Sequence, residues 1–119
     1  MNHILHTVYT AQYRYSGPDR TDITVKGNDP NGRVFAPTWS MVMGVKQGKL
    51  SEGDYVKLYV DILQNSIPIN SLDWLLSVPT RTFVCFCPQD AFCHRNILVN
   101  YLIHIFGDRI KNGGFRTTN

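Results

Sequence analysis

Two apolar segments that follow each other directly constrain the fold most. RTFVCFC at 81–87 carries few polar side chains, and after a short loop CHRNILVNYLIHIF follows at 93–106. A strand with so little polar content is covered on both faces, which is typical of a central strand in an α/β sheet. The second segment predicts a helix that is apolar around most of its circumference, with Gly107 as its C-cap.

The remaining chain alternates between strand and helix patterns. ILHTVYTAQY at 4–13 and TDITVKG at 21–27 predict strands. Ser51, with Asp54 three residues on, predicts the capped start of a helix whose apolar stripe runs from Tyr55 to Leu63. LDWLLS predicts a further short helix.

The segment APTWSMVMGVKQGKL at 36–50 is ambiguous. Trp39, Met43 and Lys46 would share one face of a helix, but Gly44 and Gly48 each weaken a helix by about 1 kcal/mol.

Strands and helices at this spacing predict a small α/β domain. We expect a single-domain three-layer sandwich over residues 1–119 with a mostly parallel sheet. Residues 108–119 are either an edge strand or a flexible tail.

Charge and length exclude some classes of function. The chain has 119 residues and a net charge of +3, without a run of adjacent Lys and Arg, so binding of duplex nucleic acid is not favoured. The apolar stretch ILVNYLIHIF is too short and too polar to cross a bilayer, and the first residues do not resemble a signal peptide. Three cysteines without such a signal indicate reduced thiols. We therefore expect a cytoplasmic protein without a membrane partner.

The junction between the apolar strand and helix is the first candidate site, because α/β sheets place ligands at the carboxyl ends of their strands. We expect Asp90 to cap the helix, with His94 and Arg95 in or near its first turn. A helix start already carries positive partial charge, so two added basic groups predict an anion site. The alternative is that Arg95 pairs with Asp90 or Asp108 and that His94 is a packed, hydrogen-bonded side chain.

Cys93 is the candidate nucleophile. At a helix start beside two basic groups, its thiol should have a lowered pKa. The alternative is that the cysteines are small buried apolar residues.

A zinc site is the less favoured alternative. Cys85, Cys87, Cys93 and His94 offer zinc ligands, and strand alternation puts the first two on one face. Against zinc, the cysteine pairs lack the usual spacing, and adjacent side chains at Cys93 and His94 should diverge on a helix. We therefore predict no cofactor.

The predicted site combines catalytic and binding residues. Cys93 and His94 are the candidate catalytic residues, and His94 would orient the ligand or transfer a proton. Trp39 would either stack on a base or belong to the core. The candidate ligand-binding residues are Arg95, Arg14, Arg20, Trp39 and Asp90.

The junction resembles the family called domain of unknown function 488. VCFCPQDAFCHRNILVNYL matches its Cys-His-Arg signature at Cys85, Cys93, His94 and Arg95, and VYTAQY, PTW and DYVKLYVDIL are similar to further family features. The resemblance implies a compact α/β fold with a pocket around this block, and it implies no reaction. Cys87 stands where the family usually has a glutamate.

Together these patterns predict a protein that binds an anionic small molecule, phosphorylated or nucleotide-like, at the junction. Hydrolase or transferase activity would be an extension of that role. The alternative is a non-catalytic protein that sequesters a ligand or interacts with other proteins. Self-association as a homo-oligomer stays open.

Overall fold

Four strands form one sheet in the order β2-β3-β1-β4, and all three strand pairings are parallel. The computed structural model describes residues 5–65, 67–87 and 92–116. The strands are β1 (His6–Gln12), β2 (Arg20–Asp22), β3 (Thr80–Cys85) and β4 (Ile110–Arg116). The helices are α1 (Pro30–Arg33), α2 (Trp39–Lys46), α3 (Glu52–Asn65), α4 (Ile69–Leu75) and α5 (His94–Phe106), and a 3₁₀ turn covers Gly107–Arg109.

The predicted fold class, a small α/β sandwich within one domain, is confirmed. The register pairs Tyr9 of the central strand β1 with Thr82 of β3, and Arg20 of β2 also pairs with Thr82. The sequence predicts either an edge strand or a flexible tail for residues 108–119. Of these, residues 110–116 form the edge strand β4 beside β1.

Helix boundaries follow local capping. The Asp54 amide donates to Ser51 Oγ over 3.1 Å, which starts α3. The Met41 amide donates to Thr38 Oγ1 over 3.2 Å, so Thr38 caps α2, and the ambiguous segment 36–50 contains a helix. Gly107 has a φ of 60° and its amide donates to the Ile103 carbonyl, which closes α5 as predicted.

The second strand is shorter than the predicted 21–27. Asp22 Oδ1 accepts hydrogen bonds from the amide of Thr24 over 3.0 Å and from its hydroxyl over 2.6 Å. This side-chain turn competes with the sheet ladder and bends the chain away directly after Asp22.

The apolar core lies between one face of the sheet and the helices. Val8, Phe83 and Ile110 point from three strands into this layer. The other core members come mainly from the helices: Ile23, Phe35, Met41, Tyr55, Tyr59, Leu63, Leu75, Leu98, Val99 and Leu102.

The opposite face of the sheet is covered differently. The hydroxyls of Thr80 and Thr82 donate to Asp19 Oδ2 over 2.8 and 3.0 Å. On this face, the connection 13–19 therefore packs against β3 through Asp19. None of the described helices has the length and apolar composition needed to cross a bilayer.

Candidate functional site

A cleft of about 380 Å³ opens beside the carboxyl end of β3. Its walls come from the segment after β2, from α2 and α3, and from the junction between β3 and α5. The lining residues are Thr24, Val25, Lys26, Trp39, Val42, Val45, Lys46, Tyr55, Cys85, Phe86, Cys87, Phe92, Cys93 and His94. The position agrees with the general placement of ligand sites in α/β sheets.

All three cysteines and His94 meet at the floor of this cleft. Cys85 Sγ lies 3.7 Å from Cys87 Sγ, and Cys93 Sγ lies 3.7 Å from His94 Nδ1. Cys85, Cys93 and His94 are buried, whereas Cys87 is half-buried. One ligand atom from each of Cys85, Cys93 and His94 lies within 4.8 Å of the other two, so these residues could hold a metal ion.

The start of α5 differs from the predicted one. The N-cap is Cys93, in extended conformation with φ −153° and ψ 144°, so Asp90 as the N-cap is wrong. Asp90 itself lies outside the described residues. Because Cys93 is not helical, the argument that its side chain must diverge from that of His94 fails as well.

The shared hydrogen bonds of the thiols set their order of ionisation. Hydrogen bonds to Cys85 and Cys87, together with burial, raise the pKa of the Cys93 thiol. Hydrogen bonds from Cys85 and Cys93 lower the pKa of the Cys87 thiol; burial opposes this, and the charge of Arg95 adds to it. The expected lowered pKa of Cys93 is therefore wrong, and thiolate character belongs to Cys87.

His94 is held in one orientation. Its Nε2 lies 2.7 Å from the carbonyl oxygen of Ile23, and the ring packs edge-on against Tyr59 at 5.6 Å between centroids. A carbonyl only accepts hydrogen bonds, so Nε2 carries the hydrogen and the lone pair of Nδ1 faces Cys93. Burial lowers the pKa of His94, which favours the neutral imidazole.

Arg95 lies behind the junction, with 0% of its surface exposed. Its Nη1 donates to the carbonyl oxygens of Cys87 over 2.9 Å, and of Ala11 and Cys85 over 3.3 Å each. The guanidinium also lies 5.3 Å from the ring centroid of Phe115. The side chain joins the ends of β1 and β3 and does not line the cleft, so its role in anion binding stays a prediction.

The other predicted binding residues fall into two groups. Arg20 donates to the carbonyl oxygens of Tyr15 and Tyr13, both over 2.8 Å, and so holds the connection 13–19. Neither Arg20 nor Arg14 belongs to the cleft lining. Trp39 does line the cleft, is 47% exposed, and has Lys26 Nζ 4.3 Å from its ring centroid.

Sequence reasoning did not assign Lys26, Lys46, Phe86 and Phe92 to the site, although all four line the cleft. A signal existed for Lys46, because it shares a predicted helical face with Trp39. No local pattern marks Lys26, which follows the shortened strand β2.

Comparison with known proteins adds no identification, because no family model, curated protein or solved structure matches the chain. The four motif residues Cys85, Cys93, His94 and Arg95 do lie together at the junction of β3 and α5. Membership of the domain of unknown function 488 family rests on that motif and stays a prediction.

Proposed function

We propose that the protein binds a small anionic molecule with a planar ring, of the nucleotide class, in the cleft beside β3. The observation that carries this proposal is the composition of the lining. Among the described residues, the cleft wall holds aromatic and apolar side chains together with two lysines, Lys26 and Lys46, and no carboxylate.

The aromatic part of the wall fits the ring of such a ligand. Trp39 and Phe86 line the cleft and are 47% and 66% exposed, so both offer ring surface for stacking. Stacking of a base on an aromatic side chain contributes about 1–3 kcal/mol. Phe86 is itself held from behind by Tyr13, which stacks on it with ring centroids 4.1 Å apart.

The lysines fit the anionic part of the ligand. Lys26 and Lys46 both line the cleft, one in the segment after β2 and one in the last turn of α2. Lysine binds phosphate groups as a point charge with rotatable donors. The volume of about 380 Å³ lies within the range of small-molecule sites.

Calorimetric titration at low salt, with AMP, GMP and inorganic phosphate as probes, tests the proposal. We expect a nucleotide to bind the wild type, and the double variant Lys26→Gln with Lys46→Gln to bind it at least about tenfold more weakly. Trp39→Leu should weaken nucleotide binding more than phosphate binding, because it removes a stacking surface that only the ring of the nucleotide uses.

The matched control is Lys49→Gln with Lys57→Gln, which changes net charge equally at two exposed lysines outside the cleft. Its affinity should stay close to that of the wild type. The proposal is wrong if none of the three probes binds, or if both double variants lose affinity equally, since only overall charge would then matter.

Incubation of the protein with the nucleotide that it binds distinguishes an enzymatic role from a sequestering role. Chromatography that recovers the nucleotide intact assigns a sequestering role, whereas conversion assigns the hydrolase or transferase role. Because the pKa of the Cys93 thiol is raised, conversion through that thiol as nucleophile is not the expected route.

A further inference from the structure

Cys85, Cys93 and His94 bring three metal-ligating side chains together on the floor of the cleft, Cys87 lies beside Cys85, and two of the spacings match those of a tetrahedral zinc site. Bonds of about 2.3 Å to sulfur and 2.0–2.1 Å to nitrogen place the ligand atoms of such a site about 3.5–3.8 Å apart. The observed distances are 3.7 Å between Cys85 Sγ and Cys87 Sγ and 3.7 Å between Cys93 Sγ and His94 Nδ1. The ligand atoms of Cys85, Cys93 and His94 also lie within 4.8 Å of one another.

The surroundings of His94 provide a second, independent observation. Histidines that bind metals with one ring nitrogen commonly donate the other N–H to a carbonyl or carboxylate. His94 donates Nε2–H to the Ile23 carbonyl over 2.7 Å, which leaves Nδ1 available beside Cys93 Sγ.

We infer that Cys85, Cys93 and His94 bind a zinc ion, with Cys87 as the fourth ligand on the side of the cleft. Zinc is the metal that tetrahedral sulfur and imidazole ligand sets favour. Binding would displace the thiol protons to solvent, so that three thiolates and a neutral imidazole surround the ion. The inference goes beyond the proposed function and is independent of it, because zinc binding requires no molecule in the cleft.

Charge balance supports this ligand set. A zinc ion with three thiolates carries a net charge of −1, and a buried charge needs a compensating neighbour. The guanidinium of Arg95 is buried directly behind the site and donates to the carbonyl oxygens of Cys85 and Cys87. The same contacts hold the backbone that carries both ligands.

Metal titration of the reduced protein tests the inference. We expect the wild type, stripped of metal, to take up one Zn²⁺ per chain in competition with a chromophoric chelator. Cys93→Ser and His94→Ala should each weaken that binding by more than about 100-fold, since loss of supporting contacts alone costs about 10–100-fold. His104→Ala is the matched control, since it removes an exposed histidine from the same helix and should leave zinc binding unchanged.

Cobalt substitution reports the ligands directly, and its wild-type spectrum does not depend on any variant folding. The wild type loaded with Co²⁺ should show thiolate-to-metal charge-transfer bands and the intense visible bands of tetrahedral cobalt. Cys87→Ser should reduce the charge-transfer intensity by about one third, because two of three thiolates remain. The inference is overturned if folded wild type shows no thiolate band, or if Cys93→Ser and His94→Ala both bind zinc as tightly as the wild type.

Discussion

Arg95 Nη1 lies 2.9 Å from the carbonyl oxygen of Cys87, so a fully buried guanidinium holds the loop that leaves β3. The same nitrogen reaches Ala11 at the end of β1 and Cys85 at the end of β3. Three backbone segments of the junction therefore depend on one side chain.

Replacement of that side chain should destabilise the whole domain. Arg95→Met keeps the length of the side chain but leaves buried carbonyl oxygens without their donor, which we expect to cost about 3 kcal/mol of the free energy of unfolding. Urea denaturation measures this loss. Arg109→Met, at an exposed arginine, is the control and should change stability by less than about 0.5 kcal/mol. Equal stability of the two variants would contradict the role assigned to Arg95.

Asp19 should make stability depend on pH in the acid range. Burial alone would raise the pKa of Asp19, but hydrogen bonds from Tyr15, Thr80 and Thr82 and the charge of Arg116 outweigh it, so the pKa is lowered. A carboxyl whose pKa is lower in the folded state contributes fully above its unfolded pKa, and this contribution is lost as the pH falls through the folded pKa.

The test is a series of urea denaturations from neutral to strongly acid pH. At neutral pH, Asp19→Asn should be less stable than the wild type by about 1–3 kcal/mol. The difference should shrink as the pH falls. Asp73→Asn, at an exposed residue of α4, should run parallel to the wild type. A constant difference between Asp19→Asn and the wild type at every pH would refute the prediction.

Two glycines in helices should respond to alanine with opposite signs. A Cβ on Gly32 would lie 2.0 Å from the backbone oxygen of Asp22, so Gly32→Ala should destabilise the protein by about 1–3 kcal/mol. A Cβ on Gly53 would lie 4.0 Å from Ser51 Oγ, so Gly53→Ala should raise stability by up to about 1 kcal/mol. Thermal melts of both variants measure the two shifts. A Gly32→Ala variant as stable as the wild type would contradict the close packing of α1 on β2, and a destabilised Gly53→Ala would contradict the open space at Gly53.

Cys87 should be the first thiol to react with iodoacetamide in reduced, metal-free protein. It is half-buried, whereas Cys85 and Cys93 are only 6% and 4% exposed. Hydrogen bonds from the other two thiols also lower its pKa. Mass spectrometry of peptides after brief alkylation locates the label, and label found first on Cys93 would contradict the ionisation order derived from the structure.

Local chemistry made part of the fold predictable from the sequence. Ser51 with Asp54 predicts the start of α3, and Gly107 predicts the end of α5, because each is a capping contact within a few residues. The apolar strand β3 was likewise predictable from its composition. The end of β2 was not, because the turn made by the Asp22 side chain outweighs the strand pattern that continues to Val25.

The site was harder to predict, because it depends on one helix boundary and on distant contacts. The sequence predicts Cys93 inside α5, where its side chain should diverge from that of His94. In the structure Cys93 is the extended N-cap, so its Sγ lies beside the imidazole. A shift of a few residues is the usual error in a predicted helix boundary. Lys26 and Lys46 join the cleft through tertiary packing, which no pattern near Cys93 encodes.

The strand order also has a consequence for how the chain acquires its structure during synthesis. Every strand pairing of the described sheet includes β3 or β4, while β1 and β2, which emerge first, do not pair with each other. Pairings between distant segments form slowly because the intervening chain must first be ordered. During synthesis, β1 therefore has no partner among the described strands until residues 80–85 have emerged from the ribosome. Its second edge remains unpaired until residues 110–116 have emerged.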